Sequence, residues 1–176
     1  MSALLDQKYA KLFFLLDSDG DGVIAEDDFE LMAERVVIAF GEQDTVRGEE
    51  YAERMAHYWR ALRAAADTDG EGQVDEGEFG RALRRVSDDF DTLVAPLYEA
   101  GFRLADRDGD GLVAKRDFGT FMVAVGVPED AAYTAFDALA DAEGRLSRAA
   151  LMAAAAEYYR GAEPSAGAGH LLFGAL

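Results

Sequence analysis

Apolar residues recur along the chain at intervals of three and four, the spacing of one face of an α-helix. Leu5, Tyr9, Leu12, Phe13 and Leu16 make the first such stripe. Phe29, Met32, Ala33, Val36 and Phe40 make the second, which Gly41 ends. A longer stripe (Tyr51, Met55, Tyr58, Trp59, Leu62, Ala66) follows a cap at Asp44 or Thr45. The helix after it is intrinsically poor, because Gly77 and Gly80 each cost about 1 kcal/mol relative to alanine. Ser87 or Asp91 is expected to start the next helix, with Pro96 tolerated only near its first turn or at a kink. Phe118, Phe121, Met122 and Val125 continue to Gly126, and Pro128 is placed to open a seventh helix at its first position. Ser147 caps the last, with Leu151, Ala155 and Tyr158 inward. The chain therefore reads as all-α, and these stripes are first of all core packing.

Three polar stretches of one design separate these helices: residues 17–28, 67–78 and 106–117. Each has acids at places 1, 3 and 5, glycine at 6, an aliphatic residue at 8 and an acid at 12. Calcium is a hard cation that takes roughly 6–8 oxygens at about 2.3–2.6 Å, and a twelve-residue loop supplies them by wrapping around the ion. Odd-numbered side chains point inward, place 7 offers its backbone carbonyl, and place 12 closes the shell from the next helix. Gly22, Gly72 and Gly111 stand at the sharpest bend, where a positive φ is cheapest. Three complete copies, with Phe29, Phe79 and Phe118 just beyond them, identify EF-hands arranged as an internal repeat.

A fourth copy is incomplete. With Gly144 at place 6, Asp141 and Glu143 fall at 3 and 5 and Leu146 at 8, but place 1 is Leu139 and place 12 is Ala150. This loop is expected to hold no ion. EF-hands pair because each loop offers a short strand residue at place 8, so Ile24 should bridge to Val74 and Val113 to Leu146. A metal-free fourth hand completes the second pair.

The loops differ in quality. The first and third have four acids at ligand places and end in aspartate, one methylene shorter than the usual glutamate. Closure through one oxygen suits magnesium better, so Asp28 and Asp117 should make these sites magnesium-tolerant. The second has five acids, including Asp75 at place 9 and Glu78 at 12, but its Glu71 is long for place 5.

Charge agrees with cation binding. A formal net charge of −18 over 176 residues excludes nucleic acid or an anionic membrane surface as natural partners. Cysteine is absent, which removes disulfides, thiolate metal sites and cysteine nucleophiles. No nucleophile–base pair or phosphate loop appears, so an enzyme is not expected. No secretory pattern, myristoylation signal or membrane-length apolar run appears, so a soluble cytoplasmic protein is expected. Abundant arginine and alanine, against only Lys8, Lys11 and Lys115, point to a GC-rich bacterial genome.

The chain resembles the sarcoplasmic calcium-binding protein group, most closely its bacterial calerythrin-like branch. The resemblance rests on the long insertion between the first two loops, on one degenerate hand among four, and on the ending with Tyr158, Tyr159, Arg160, Gly161 and then Leu172, Phe173 and Gly174. It implies four EF-hands in two pairs, residues 1–87 and 88–160, facing each other in a compact globule with the 161–176 tail packed on it. Residues 161–169 are expected to be irregular. Carried over place by place, the implied ligands are Asp17, Asp19, Asp21, Val23 and Asp28; Asp67, Asp69, Glu71, Gln73 and Glu78; and Asp106, Asp108, Asp110, Leu112 and Asp117. Val23, Gln73 and Leu112 act through their carbonyls. Calerythrin-like patterns usually weaken the second hand rather than the fourth, which singles out loop two.

The implied function is calcium buffering or transport with some magnesium exchange, by a monomer. The five methionines are scattered (Met1, Met32, Met55, Met122, Met152), unlike the concentrated groove of a promiscuous sensor. A sensor that shows a surface to a protein partner is the alternative. A small-molecule carrier of the photoprotein type is a third reading, with Trp59, His57 and His170 as its few aromatic and imidazole contacts.

Overall fold

The stripes become helices in the order the pattern gives. The structure, a computed structural model, describes residues 3–161 and 168–174. Helix α1 (Ala3–Leu16) leads into the first loop and α2 (Glu26–Phe40) leaves it; α3 (Val46–Ala66) and α4 (Glu76–Asp88) flank the second. A single turn, α5 (Phe90–Leu93), precedes α6 (Ala95–Ala105), then strand β1 (Leu112–Ala114), α7 (Lys115–Ala124) and α8 (Glu129–Leu139). Strand β2 (Arg145–Ser147) and α9 (Arg148–Arg160) follow, with a short 3-10 turn at Gly169–Leu171. Most of the stretch expected to be irregular, residues 162–167, lies outside the described residues.

Local chemistry sets the helix ends. Gly41 stops α2 at φ 71°, and its N–H reaches the Ile38 carbonyl while that of Glu42 reaches Val37. Of the two caps offered to α3, Thr45 serves, its Oγ1 accepting from the Gly48 N–H at 3.2 Å. The glycine-weakened α4 is held by Asp75 and Glu78 in a reciprocal capping box.

Two expected boundaries are corrected. Neither Ser87 nor Asp91 starts a helix: Ser87 is buried within α4, its hydroxyl donating to the Leu83 carbonyl at 2.6 Å, and Asp91 lies inside α5. The break falls at Val94, because Pro96 in the first turn of α6 has no N–H to continue a helix through it. Pro128 caps α8 rather than occupying its first position; its extended ψ of 141° places its carbonyl to take the Ala132 N–H at 2.9 Å.

The loops pair as their place-8 residues require. Ile24 and Val74 form an antiparallel bridge, and β1 pairs with β2 so that Val113 faces Leu146. All four side chains are buried in one core fed by both halves. Helix α3 packs on α6, α2 on α7 and α1 on α9. The tail joins this core: Leu172 and Phe173 are buried, and the Phe173 ring meets Tyr158 edge-on at 4.9 Å. Buried Lys8 fastens α9 to α1, its Nζ donating to the Gly161 carbonyl at 2.9 Å while the Tyr158 hydroxyl donates to the Lys8 carbonyl at 3.0 Å.

An apolar cavity of about 90 Å³ remains between the helices, lined by Met32, Met55, Tyr58, Phe121, Tyr159 and Phe173 among others. No helix among the described residues is long and apolar enough to cross a membrane.

Candidate metal centre

Loop one is built from short carboxylates that each spend some hydrogen bonding on the loop's own backbone. Asp17 accepts from the N–H groups of Gly20 at 2.8 Å, Asp21 at 3.1 Å and Gly22 at 3.1 Å. Asp19 accepts from Asp21, and Asp21 from Val23 at 3.0 Å. These bonds curl the loop inward, and Gly22 at φ 90° makes the bend. One oxygen each of Asp17, Asp19 and Asp21 consequently lies within 4.8 Å of the others. Close carboxylate pairs repel by about 1–4 kcal/mol at effective dielectrics between water and a protein surface, a cost that a divalent cation relieves.

Asp28 closes the loop from α2. It is buried, and its oxygens accept from Ser18 at 2.7 Å, Asp19 at 3.3 Å and Ala25 at 2.8 Å. Loss of hydration pushes its carboxyl up, and the three N–H groups only partly counter this.

Loop three repeats the arrangement. Asp106 accepts from Gly111 at 3.0 Å, Asp108 from Asp110 at 3.3 Å and Asp110 from Leu112 at 2.8 Å, and the three again converge within 4.8 Å. The second oxygen of Asp106 is buried with no hydrogen-bond partner. A buried orphan acceptor beside two further carboxylates is suited to a hard cation, so the residues present fit calcium. Asp117 stands half-buried at the start of α7.

Loop two differs. Asp67 accepts from Gly70 at 2.8 Å and Gly72 at 3.0 Å, and Asp69 accepts from Glu71 at 3.2 Å. Among the described residues, however, Asp67, Asp69 and Glu71 do not converge as the other two triads do. Asp21 and Asp110 are drawn in by the N–H groups of Val23 and Leu112; among the described residues no such bond joins Gln73 to Glu71, whose side chain is one methylene longer. Glu78 accepts from the Thr68 hydroxyl and the Asp75 N–H, both at 3.2 Å, while Asp75 caps α4 through the Glu78 N–H at 2.7 Å.

The motif reading passes over one residue here. Arg63 donates from Nε to Asp67 at 3.3 Å, and its Nη2 would stand 3.3 Å from a Cβ on Gly72. Lost hydration raises the Asp67 carboxyl, but the Gly70, Arg63 and Gly72 donors outweigh it and hold it below the usual carboxylate range. The sequence signal exists, since four residues before the loop the other hands carry Phe13, Phe102 and Phe136.

Loop four is one residue short. The carbonyls of Phe13, Arg63, Phe102 and Phe136 accept from Asp17, Asp67, Asp106 and Ala140 at 2.8–2.9 Å, so the position equivalent to place 1 is Ala140 rather than Leu139. The bridging residue comes seven positions later in the first three loops and six later in the fourth. Asp141 closes this shorter turn by accepting from Glu143 at 3.1 Å and Arg145 at 2.8 Å, with the Arg145 guanidinium at 3.9 Å.

No family model matches the chain. Calerythrin from Saccharopolyspora erythraea is 24% identical over 168 residues, which cover 91% of this chain and 94% of calerythrin. A solved Streptomyces coelicolor calcium-binding protein, described as a basis for prokaryotic calcium-mediated regulation, is 32% identical with a TM-score of 0.79. The match covers 92% of this chain and 99% of that one. The amphioxus sarcoplasmic calcium-binding protein shares the fold at a TM-score of 0.72 and 19% identity, over 98% of each chain. With the paired loops and the two aspartate triads, these likenesses identify a chain that belongs to the EF-hand calcium-binding proteins of the calerythrin and sarcoplasmic type.

Proposed function

We propose that this protein is an intracellular calcium buffer with three cation loops, two of which exchange magnesium. The observation that carries the reading is the pair of converged triads, Asp17–Asp19–Asp21 and Asp106–Asp108–Asp110, the second with its orphaned Asp106 oxygen. In this reading the side chains of Asp17, Asp19, Asp21 and Asp28 and the Val23 carbonyl hold one ion. Asp106, Asp108, Asp110, Asp117 and the Leu112 carbonyl hold another. Asp67, Asp69, Glu71, Glu78 and the Gln73 carbonyl hold a third less readily. Residues 1–87 and 88–160 act as the two paired units, and the tail closes them.

Buffering is favoured over sensing by where the apolar surface lies. Met32, Met55 and Met122 are buried, and Leu172 and Phe173 fill the interior where a partner's apolar face would dock. Regulation is the role described for the Streptomyces coelicolor relative, and it makes sensing the second reading. A carrier role is disfavoured. The apolar interior cavity of about 90 Å³ falls well below the 300–1,000 Å³ of common ligand sites. Trp59 borders a different pocket, of about 490 Å³ between α2 and α3, whose lining includes neither His57 nor His170.

A calorimetric calcium titration with and without millimolar magnesium tests the reading. At least two ions should bind, with weaker apparent calcium affinity in magnesium. Fewer than two would overturn it. Dye-detected apolar exposure should fall as calcium binds; a rise would favour the sensor.

A further inference from the structure

We propose that Arg63 is a built-in competitor for the cation of loop two, and that it makes this loop the last of the three to fill. The inference rests on reading loop two as a calcium site and says what regulates that site.

The geometry is specific to this hand. The carbonyl of the residue four positions before each loop accepts from the loop's first N–H in all four hands. Phe13, Phe102 and Phe136 at that position turn their rings into the core, where each is buried. Arg63 cannot do so without burying its charge, and its side chain stays 47% exposed. Its guanidinium instead folds over the mouth of the loop, where it bonds to Asp67 at 3.3 Å and lies against Gly72 at the bend.

Asp67 is the first ligand place, and its own exposure is only 6%, so the guanidinium meets a carboxylate with little water left around it. A divalent cation entering the loop needs the same carboxylate and adds two positive charges close to a third. Binding therefore requires Arg63 to give up Asp67 and swing outward, which its exposed side chain is free to do. Arginines also reach loops one and three, but they bond to backbone carbonyls, Arg35 to Ser18 at 3.1 Å and Arg47 to Asp106 at 3.5 Å. Among the described residues only Arg63 is paired with a ligand carboxylate, and the triads of loops one and three converge. The incomplete convergence of loop two has a second contributor in the length of Glu71, but Glu71 brings no positive charge. The two causes separate on replacing Arg63 alone.

The test is calorimetric calcium titration of the full chain and of Arg63→Met, with Glu78→Gln introduced in each to assign the loop-two site. A second variant, Arg63→Phe, installs the residue the other hands use, in case methionine packs poorly. Arg63→Met and Arg63→Phe should each tighten the Glu78→Gln-sensitive site about tenfold, the scale for removing one adjacent unit charge at a protein surface. The two other sites should keep their affinities. Arg63→Lys, which keeps the charge and loses the fork, should stay near the parent.

An unchanged or weaker loop-two site in both the methionine and phenylalanine variants would overturn the proposal, since Arg63 would then be organising Asp67 rather than competing for it. If neither the parent nor Arg63→Met shows a Glu78→Gln-sensitive site, the calcium reading of loop two fails and the proposal with it. Two remaining sites in that titration would leave the readings of loops one and three intact. The single tryptophan, Trp59, lies one turn before Arg63 in α3, and its fluorescence provides an independent record of when this hand fills.

Discussion

Ile24 and Val74 donate to each other: each N–H meets the other's carbonyl oxygen at 2.9 Å, and both side chains are fully buried. This reciprocal bond is the only backbone bridge between loops one and two among the described residues, and it makes the two loops a single mechanical unit. Truncating Ile24 to alanine should cost about 2–5 kcal/mol, and truncation to valine about 0.5–1.5. Urea unfolding of the calcium-saturated variants reads this directly. Both loops of the first pair should lose affinity, although Ile24 belongs to only one of them.

Phe173→Ala should destabilise the protein by about 3–5 kcal/mol, since the ring is buried against Tyr158 and helps line the cavity between the helices. The same variant should bind more apolar dye than the parent in saturating calcium. Dye binding that remains at the parental level would mean the tail does not close the interior.

Alkaline titration gives a third expectation. Burial pushes the phenols of Tyr51, Tyr58 and Tyr159 up from their ordinary value near 10. The folded state therefore favours neutral tyrosine. The stability this represents is fully present below about pH 10 and is lost as pH rises from there toward the folded values, because the unfolded chain ionises first. Phenolate absorbance from these rings should appear together with loss of helical circular dichroism, in one transition above about pH 10. Their ionisation near pH 10 with helicity intact would contradict the packing described.

Restoring acids to loop four should fail to restore binding. Ala140→Asp with Ala150→Glu supplies carboxylates at both ends of the loop, but the turn stays one residue short and stays closed on Asp141. Calcium stoichiometry should equal that of the parent. A gain of one ion would show that charge, not loop length, is what this hand lacks.

Much of this was legible in the sequence because the loop motif is a local code. Acid spacing fixes which carboxylates can converge, glycine at place 6 fixes the bend, and place 8 names the bridging residue. Val113 opposite Leu146 follows from those rules alone. The rest depends on where long side chains go once the chain is folded. Nothing local says that Arg63 turns onto Asp67 rather than outward, or that the acids of loop two, with Glu71 at place 5, do not converge as the other two triads do. Alignment on Gly144 also hid the shortened fourth loop, because a deletion shows only when the helix-end hydrogen bond gives a second reference point. The start of the third hand is hidden in a similar way: Ser87 has cap chemistry, but its buried hydroxyl is satisfied inside α4.

The closed turn of loop four bears on the order in which the second pair is assembled. Asp141 holds Arg145 in place with two bonds that involve no ion, its carboxylate accepting from the Arg145 N–H at 2.8 Å and its own N–H donating to the Arg145 carbonyl at 2.9 Å, so the start of β2 is fixed by the chain itself. Were an ion to enter loop three, Val113 would meet an edge already formed, and only one loop would have to be ordered rather than two. Fixing a residue's backbone costs about 1–2 kcal/mol in conformational entropy, so each position of loop four that is already fixed is one the third site's ion does not have to order. The shortened loop thereby supports the loop it pairs with through the β1–β2 ladder alone.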